Sequence, residues 1–488
     1  MKKIYILIFV SAFLASCENA LNIEQPGILV ADKAIESVSD YNAALLGVYN
    51  RLDHTREILF NSVFTDELSI GYVNGGQNIS LYSHILTPNS GLSFNLFSNY
   101  YITINQVNKL LKAGENLNVK SDELINLNNI KGQLLAIRAY AHFQLQCYFS
   151  TDLTDDNSLG VIKLDWIPQS PTIEVPRSKN SVIFDFIESD LNTANSLLKN
   201  DFNRIFISKD FITALRARMA AYRGKYSLAE KLTSQLLAKY SLPGRTQFFE
   251  MFDDTNDTGV IFELERTVGD SFARQGIGGG GFVGSLFAFK GSDMDGAPFM
   301  ELSRSLFNLF DEDDIRKSRL IDPSSKVDPT YATNPNFKND DILIIRKYPG
   351  HENQPLMNDL KIFRISEMLL LKAEAKIAQN DLSGAAILIK QLQDARYSSP
   401  QPLPVFISKT DAFDLLLKER RKELALEGFR WLDIKRLGKE AGSTINRDPV
   451  DCNLYNACNL ENTDHRFTLP IPLREIDLNS LLSQNQGY

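Results

Sequence analysis

Ala217 and Ala229 stand twelve residues apart around Gly224-Lys225-Tyr226, and Ala373 and Ala385 stand twelve apart around Asn380-Asp381. A helix, a short turn and a second helix with alanine at the closest approach brings two backbones together, since only methyl groups separate them. The spacing predicts two such helix pairs. Other stretches carry the same helical period. Tyr41, Leu45, Val48, Tyr49 and Leu52 form one stripe, with Ser39 or Asp40 available to cap its start. Ile130, Leu134, Ile137, Ala141, Leu145 and Tyr148 keep one face over about 123–149.

The two alanine-spaced units are similar to tetratricopeptide repeats, but more than a hundred residues separate them and most of the repeat signature is missing. Tetratricopeptide-like pairs are therefore expected without a regular solenoid. The helical scaffold is expected at about 37–60, 95–150, 181–240 and 361–440. Between these lie stretches rich in Gly, Asn, Asp, Pro and Ser, about 61–94 and 241–360, with short β-like runs at Val260–Leu264 and Ile342–Ile345. Long irregular segments on a helical scaffold are the usual place for a binding function. Residues 37–488 read as a single body.

The N-terminus reads as an address. Lys2 and Lys3 precede an apolar run from Ile4 to Leu14, long enough for a signal-peptide core and too short to span a bilayer. Leu14-Ala15-Ser16-Cys17 resembles the lipobox of bacterial lipoproteins. That resemblance implies removal of residues 1–16, lipid on Cys17, and a tether over 17–36 around Pro26-Gly27. An exported setting permits a disulfide between Cys452 and Cys458, although two free thiols fit the sequence as well. Cys147 lies in an apolar helical pattern and reads as a buried thiol. The formal charge of −8 provides no general nucleic-acid footprint.

The C-terminal third carries the most specific strings. ERRKELALEGFRWLDIKRLG at 419–438 and PIPLREIDLNSLLSQNQGY at 470–488 closely resemble the SusD/RagB family of surface lipoproteins. The segments IKGQLLAIRAYAHFQLQCYF at 130–149 and KIFRISEMLLLKAEAKIA at 361–378 extend the resemblance, as does the tether from Cys17. Ser480 and Gln486 replace prolines that are usual in the family's closing segment. The resemblance implies a mostly α fold in which four tetratricopeptide-like pairs support a loop-rich, ligand-binding half. It implies lipid anchoring on the outer face of the outer membrane and a SusC-like TonB-dependent transporter as partner. Glycans are the implied ligands, with peptides in the RagB branch, and the family is not catalytic.

Several tempting motifs have plainer readings. Gly276 to Gly281 contains GxGxxG, but the strand, helix start and βαβ unit needed to seat a pyrophosphate are not evident. His54, His84, His142, His351 and His465 show no i, i+4 pairing of the zinc-helix kind. Asp293-Met294-Asp295-Gly296 lacks the remaining calcium-loop ligands, and Asp311 to Asp314 spreads its acids around a helical turn. Neither metal nor cofactor is expected, and there is no GxSxG elbow or P-loop. The mixed charges of 419–438 read as helix-face ion pairs and arginine–carboxylate bridges at packing contacts, with Trp431 as a packing residue.

Sugar rings stack their C–H faces on aromatic side chains and hydrogen-bond through their hydroxyls. Two loops have that composition. The first holds Tyr72, Asn74, Gln77, Asn78, Tyr82 and His84; the second holds Arg274, Phe282, Phe287, Phe289, Asp293 and Asp295. Trp166 is the remaining broad stacking surface once Trp431 is assigned to packing. The function expected is non-catalytic binding of oligosaccharide or polysaccharide and delivery to the transporter, with a RagB-type peptide binder as the alternative. A surface glycosidase and a purely structural transporter subunit are further readings.

Overall fold

The twelve-residue alanine spacing is realised as one turn built twice. In the computed structural model, which describes residues 35–71, 73–170, 172, 174–269, 282–288 and 298–488, helix Lys209–Tyr222 precedes Tyr226–Leu237 and helix Ile365–Ala378 precedes Leu382–Asp394. Ala217, Ala229, Ala373 and Ala385 are all buried. Seven residues after the first alanine of each pair the chain turns left-handed, at Gly224 (φ 67°) and at Asn380 (φ 68°). Glycine and asparagine are the residues that tolerate this conformation. In the second pair Asp381 then caps the next helix, accepting the Gly384 N–H at 2.9 Å. Tyr226–Leu237 packs on Ile365–Ala378, so pairs distant in sequence are neighbours in space.

Helix Val38–Arg51 buries Tyr41, Leu45 and Val48, with Leu52 buried just beyond its end, and leaves Tyr49 half-buried. Its cap is Ser37, and neither Ser39 nor Asp40 takes that place. The Ser37 hydroxyl accepts the Asp40 N–H at 3.2 Å, while the Asp40 carboxylate accepts the Ser37 N–H at 3.0 Å. Asp40 thus closes a capping box from the third helical position. The scaffold centres on Leu124–Phe149, flanked by Gly91–Glu115 and Asn180–Leu197. From Gly132 onward it is buried almost all round, as a helix sandwiched between others must be. The one strong charge there, Arg138, is matched bidentately by Asp190 at 2.8 and 2.7 Å. Burial pushes the Cys147 thiol up to about 12, so it is inert at neutral pH.

Strands are few and short. Val260–Leu264 pairs antiparallel with Leu360–Arg364, and Leu68–Ile70 with Met300–Leu302. The 342–345 run forms only isolated bridges, Ile342 with Lys326 and Ile345 with Ile321. The loop-rich region also contains a helix, Arg245–Phe252. A continuous apolar core runs from Val38 to Leu482. No helix among the described residues is long and apolar enough to cross a membrane.

The charged run 419–438 lies mostly inside the molecule. Within it, Glu419–Lys422 and Asp433–Arg436 pair along their own helices at i, i+3. Other charges reach across the fold: Glu427 to Arg364 at 2.7 Å and to Lys347 at 2.5 Å, Arg430 to Asp66 at 2.8 Å, and Arg436 to Glu374 at 2.7 Å. Arginine bridging at helix contacts is the operative part of the sequence reading, and surface-type helix pairs are the lesser part. Trp431 is fully buried, stacked on Tyr148 at 5.6 Å and edge-on to Phe60 at 5.1 Å. Cys452 and Cys458 form a disulfide.

Candidate functional site

The two loops singled out in the sequence are joined by a short ladder. Leu68–Ile70 pairs with Met300–Leu302, and the pairing continues as the Gly71 N–H donates to the Phe299 carbonyl at 3.1 Å. The Asn74 Nδ2 donates to the same carbonyl at 2.8 Å. Gly71 is required by this approach, since a Cβ there would fall on the Pro298 carbonyl oxygen and within 2.8 Å of the Phe299 carbonyl carbon. The start of the first loop is thereby fixed against the end of the second.

A third segment, 328–341, meets the first loop; it lies within the 241–360 loop region expected from the sequence, but none of its residues was singled out there. Lys338 Nζ donates to the Ile70 carbonyl at 3.2 Å, at the mouth of the first loop. Tyr331 is half-buried, with the Arg304 guanidinium 4.0 Å from its ring centre. Its hydroxyl donates to Asp448 and accepts from Asn308, both at 3.0 Å. Asn334, Asn336, Asn339 and Asp340 hydrogen-bond among themselves beside it. The signal available in the sequence was the density of Asn and Asp around Tyr331 and Phe337. The partners across the chain were not readable.

The disulfide loop forms the fourth side. The Tyr82 hydroxyl donates to the Asp451 carbonyl at 3.0 Å, and its ring meets Tyr455 edge-on at 5.3 Å. Asp451 accepts the Arg304 N–H at 2.8 Å, yet burial pushes its carboxyl up to about 7. Exposed Leu454 caps this loop.

The individual sequence candidates divide clearly. Tyr82 is fully buried beneath the Arg447 guanidinium, 3.8 Å away, and is a packing residue. Phe282 lies in a small apolar cluster with Ala288, Leu356 and Met357, and Phe287 is buried and stacked on Tyr348. Asn74 is buried and spends its side chain on Phe299 and on the Gly76 N–H. His84 is buried on Phe64, and burial pushes its pKa down to about 3. These side chains shape the loops, and their faces are already covered. Asn78 is half-buried and left-handed (φ 57°), with Nδ2 unpartnered among the described residues. Gln77 is half-buried. Tyr72, Arg274, Phe289, Asp293, Asp295, the glycine run 276–281 and Cys17 with its signal and most of its tether lie outside the described residues. Trp166 remains 37% exposed, its carbonyl held by Asn108 at 2.9 Å.

One group has the composition of a metal site. Ligating atoms of Asp254, His351 and Asp359 lie within 4.8 Å of one another. The Lys361 ammonium already pairs with Asp254, lies 3.2 Å from Glu263 and 3.9 Å from Asp359, and so supplies the positive charge that a metal ion would bring. Even so, burial and the adjacent acids push Asp359 up to about 6.

Comparison with known proteins identifies the scaffold that carries this face. The profile described as SusD family matches residues 324–488, and one described as starch-binding associating with outer membrane matches residues 31–222. The chain belongs to the SusD family. The SusD-like protein P38 of Formosa agariphila is 24% identical over an alignment covering 100% of this chain and 99% of that protein. A SusD superfamily protein from Bacteroides thetaiotaomicron has a similar fold, with TM-score 0.77 and 24% identity over 92% of this chain and 99% of that one. A putative sugar binding protein from Bacteroides vulgatus aligns with TM-score 0.74 and 24% identity, covering 93% and 99%. These likenesses agree with the mostly α, SusD-like architecture expected from the sequence. The charged 419–438 segment is thus part of the SusD-family match, and its place is in the packing. Trp431 likewise serves the fold of a SusD-family protein.

Proposed function

We propose that this protein is a non-catalytic, cell-surface binder of oligosaccharide or polysaccharide that passes its ligand to a SusC-like TonB-dependent transporter, held to the outer membrane by lipid on Cys17. The observation that carries this reading is the convergence of the 71–84, 298–302, 328–341 and 448–458 segments on one face through the Gly71–Phe299, Lys338–Ile70 and Tyr331–Asp448 hydrogen bonds. Such a face offers what a sugar needs. A half-exposed aromatic ring stiffened by Arg304 stands beside several side-chain amides, and stacking plus hydroxyl recognition follows from those groups. The sugar-binding description of the Bacteroides vulgatus neighbour supports the ligand class. Delivery rests on the family resemblance.

Calorimetry of the soluble chain against α-glucan, β-glucan and sulfated algal oligosaccharides, with a peptide panel alongside, tests the ligand class. At least one glycan is expected to bind, and Tyr331→Ala is expected to weaken it at least tenfold. Binding confined to peptides would remove the glycan reading. Product formation from a bound glycan would remove the non-catalytic one.

A further inference from the structure

A second recess lies in the helical scaffold, lined by none of the four loop segments used above. It has a volume of about 630 Å³ and opens between the Lys209–Tyr222/Tyr226–Leu237 pair and the Lys409–Glu423/Arg430–Ala441 pair, with residues 151–154 and 462–463 on its other walls. That volume is in the range of sites that hold ligands.

Its charge is the reverse of the chain's. The protein carries −8 overall, whereas Lys409, Lys435, Arg436 and Lys439 line this recess against Asp152 and Glu440. Arg436 is already matched by Glu374 and Asp433. None of the three lysines forms an ion pair among the described residues, although Asp152 acts on buried Lys435 through space. Lys409 donates to the Ala378 carbonyl at 2.9 Å, and Lys435 donates to the Cys147 and Ser150 carbonyls at 3.0 and 2.7 Å. Neutral carbonyls orient an ammonium and leave its charge uncancelled. Lys439 is exposed and makes no hydrogen bond or ion pair among the described residues. Of the two acids, Asp152 is turned to the Thr154 N–H and hydroxyl at 2.8 and 2.7 Å.

Apolar surface lies among these charges, alongside the polar side chains of Thr151, Thr154, Asn462 and Thr463. Phe413 and Leu153 line the recess, and half-buried Tyr226 presents a hydroxyl with no hydrogen-bond partner among the described residues. Ammonium groups spaced around aromatic and aliphatic surface suit alternating carboxylate and apolar side chains, and a groove between helix pairs suits an extended chain. We infer that this cleft docks an extended acidic peptide segment of a partner protein, its carboxylates met by Lys409 and Lys439 and its apolar side chains by Tyr226 and Phe413. The inference is independent of the glycan face. Charged recognition of this kind governs association and weakens with salt.

The test is fluorescence anisotropy of the full chain with a labelled ten-residue peptide alternating Asp or Glu with Leu or Phe, beside its Asn/Gln analogue. The acidic peptide is expected to bind at least tenfold more tightly than the analogue and to lose at least fivefold between 50 and 300 mM NaCl. Lys409→Glu with Lys439→Glu is expected to weaken it at least tenfold. Both lysines are exposed, so thermal unfolding and glycan binding should match the parent and separate this test from that of the loop face. Equal binding of the two peptides, or an unchanged affinity in the double variant, would overturn the inference. So would stronger displacement by a sulfated oligosaccharide than by unlabelled acidic peptide, which would reassign the cleft to anionic glycans.

Discussion

Arg396 holds Glu423 through two hydrogen bonds, Nε to Oε2 at 2.9 Å and Nη2 to Oε1 at 3.0 Å, and neither side chain has any exposure. Arg364 reaches the same carboxylate at 3.1 Å and Arg316 approaches to 3.7 Å. Glu423 sits on helix Lys409–Glu423 while its partners come from three other segments, so one carboxylate ties four parts of the chain. The cationic neighbours outweigh burial and hold its carboxyl far below the usual range. Removing it strands buried guanidinium groups, and a broken buried pair costs about 3–5 kcal/mol. Glu423→Ala is therefore expected to lower unfolding free energy by that amount in urea titrations. A loss under 1 kcal/mol would show that the network is not a principal tie.

Alkaline pH is expected to weaken the fold. Burial pushes Glu57 up to about 8 and Glu67 and Asp451 up to about 7. Between their unfolded values near 4 and these folded values, the folded state keeps protons that the unfolded state has lost, so stability falls as pH rises. His54 and His142, pushed down to about 4 by burial, act in the opposite direction, but only below the unfolded value of about 6.5. From pH 6.5 to 8 the carboxyls dominate, opposed near the top of that window by Lys435, which burial pushes down to about 8. Melting temperature should fall across that window, and Glu57→Gln should remove about 1 kcal/mol per pH unit of the slope. The glutamine oxygen can still accept from Tyr100, the partner of Glu57 Oε1. An unchanged slope in the variant would place the proton elsewhere.

Gly71→Ala tests the junction between the two loops. The added methyl meets backbone at Pro298 and Phe299, which no rotamer change relieves. The strand pair should separate locally, at a cost of about 1–3 kcal/mol for overpacking. Glycan affinity should fall by at least tenfold while the helical circular dichroism stays at the parent level. Full affinity with the alanine in place would disconnect the ladder from binding.

The disulfide closes a short loop, Cys452 to Cys458, beside Tyr82 and Asp451. For a loop of this size the chain-entropy contribution is about 2 kcal/mol. Changing both cysteines to serine should cost about that much in guanidinium unfolding. Hydrogen exchange should also speed up in 449–458 before it does so in the helical core.

Helical periodicity and the alanine pairs were legible because both are local. Ala217 and Gly224, or Ala373 and Asn380, lie within one helix and its turn, so spacing along the chain is spacing in space. The motifs at 419–438 and 470–488 were legible as a family likeness on the same footing. Exposure was not. Tyr82, Phe282 and Phe287 have the composition of a sugar platform, yet Arg447, Met357 and Tyr348 cover them from segments 61 to 365 residues away. Tyr331 drew no attention in the sequence and reaches the loop face because Arg304 and Asp448 hold it there. The sequence by itself determined that this chain is a set of paired helices carrying long polar loops. Only the tertiary structure decided which loop aromatics keep a free face and which buried acids find an arginine, because burial and ion pairing are set by groups that meet only after folding.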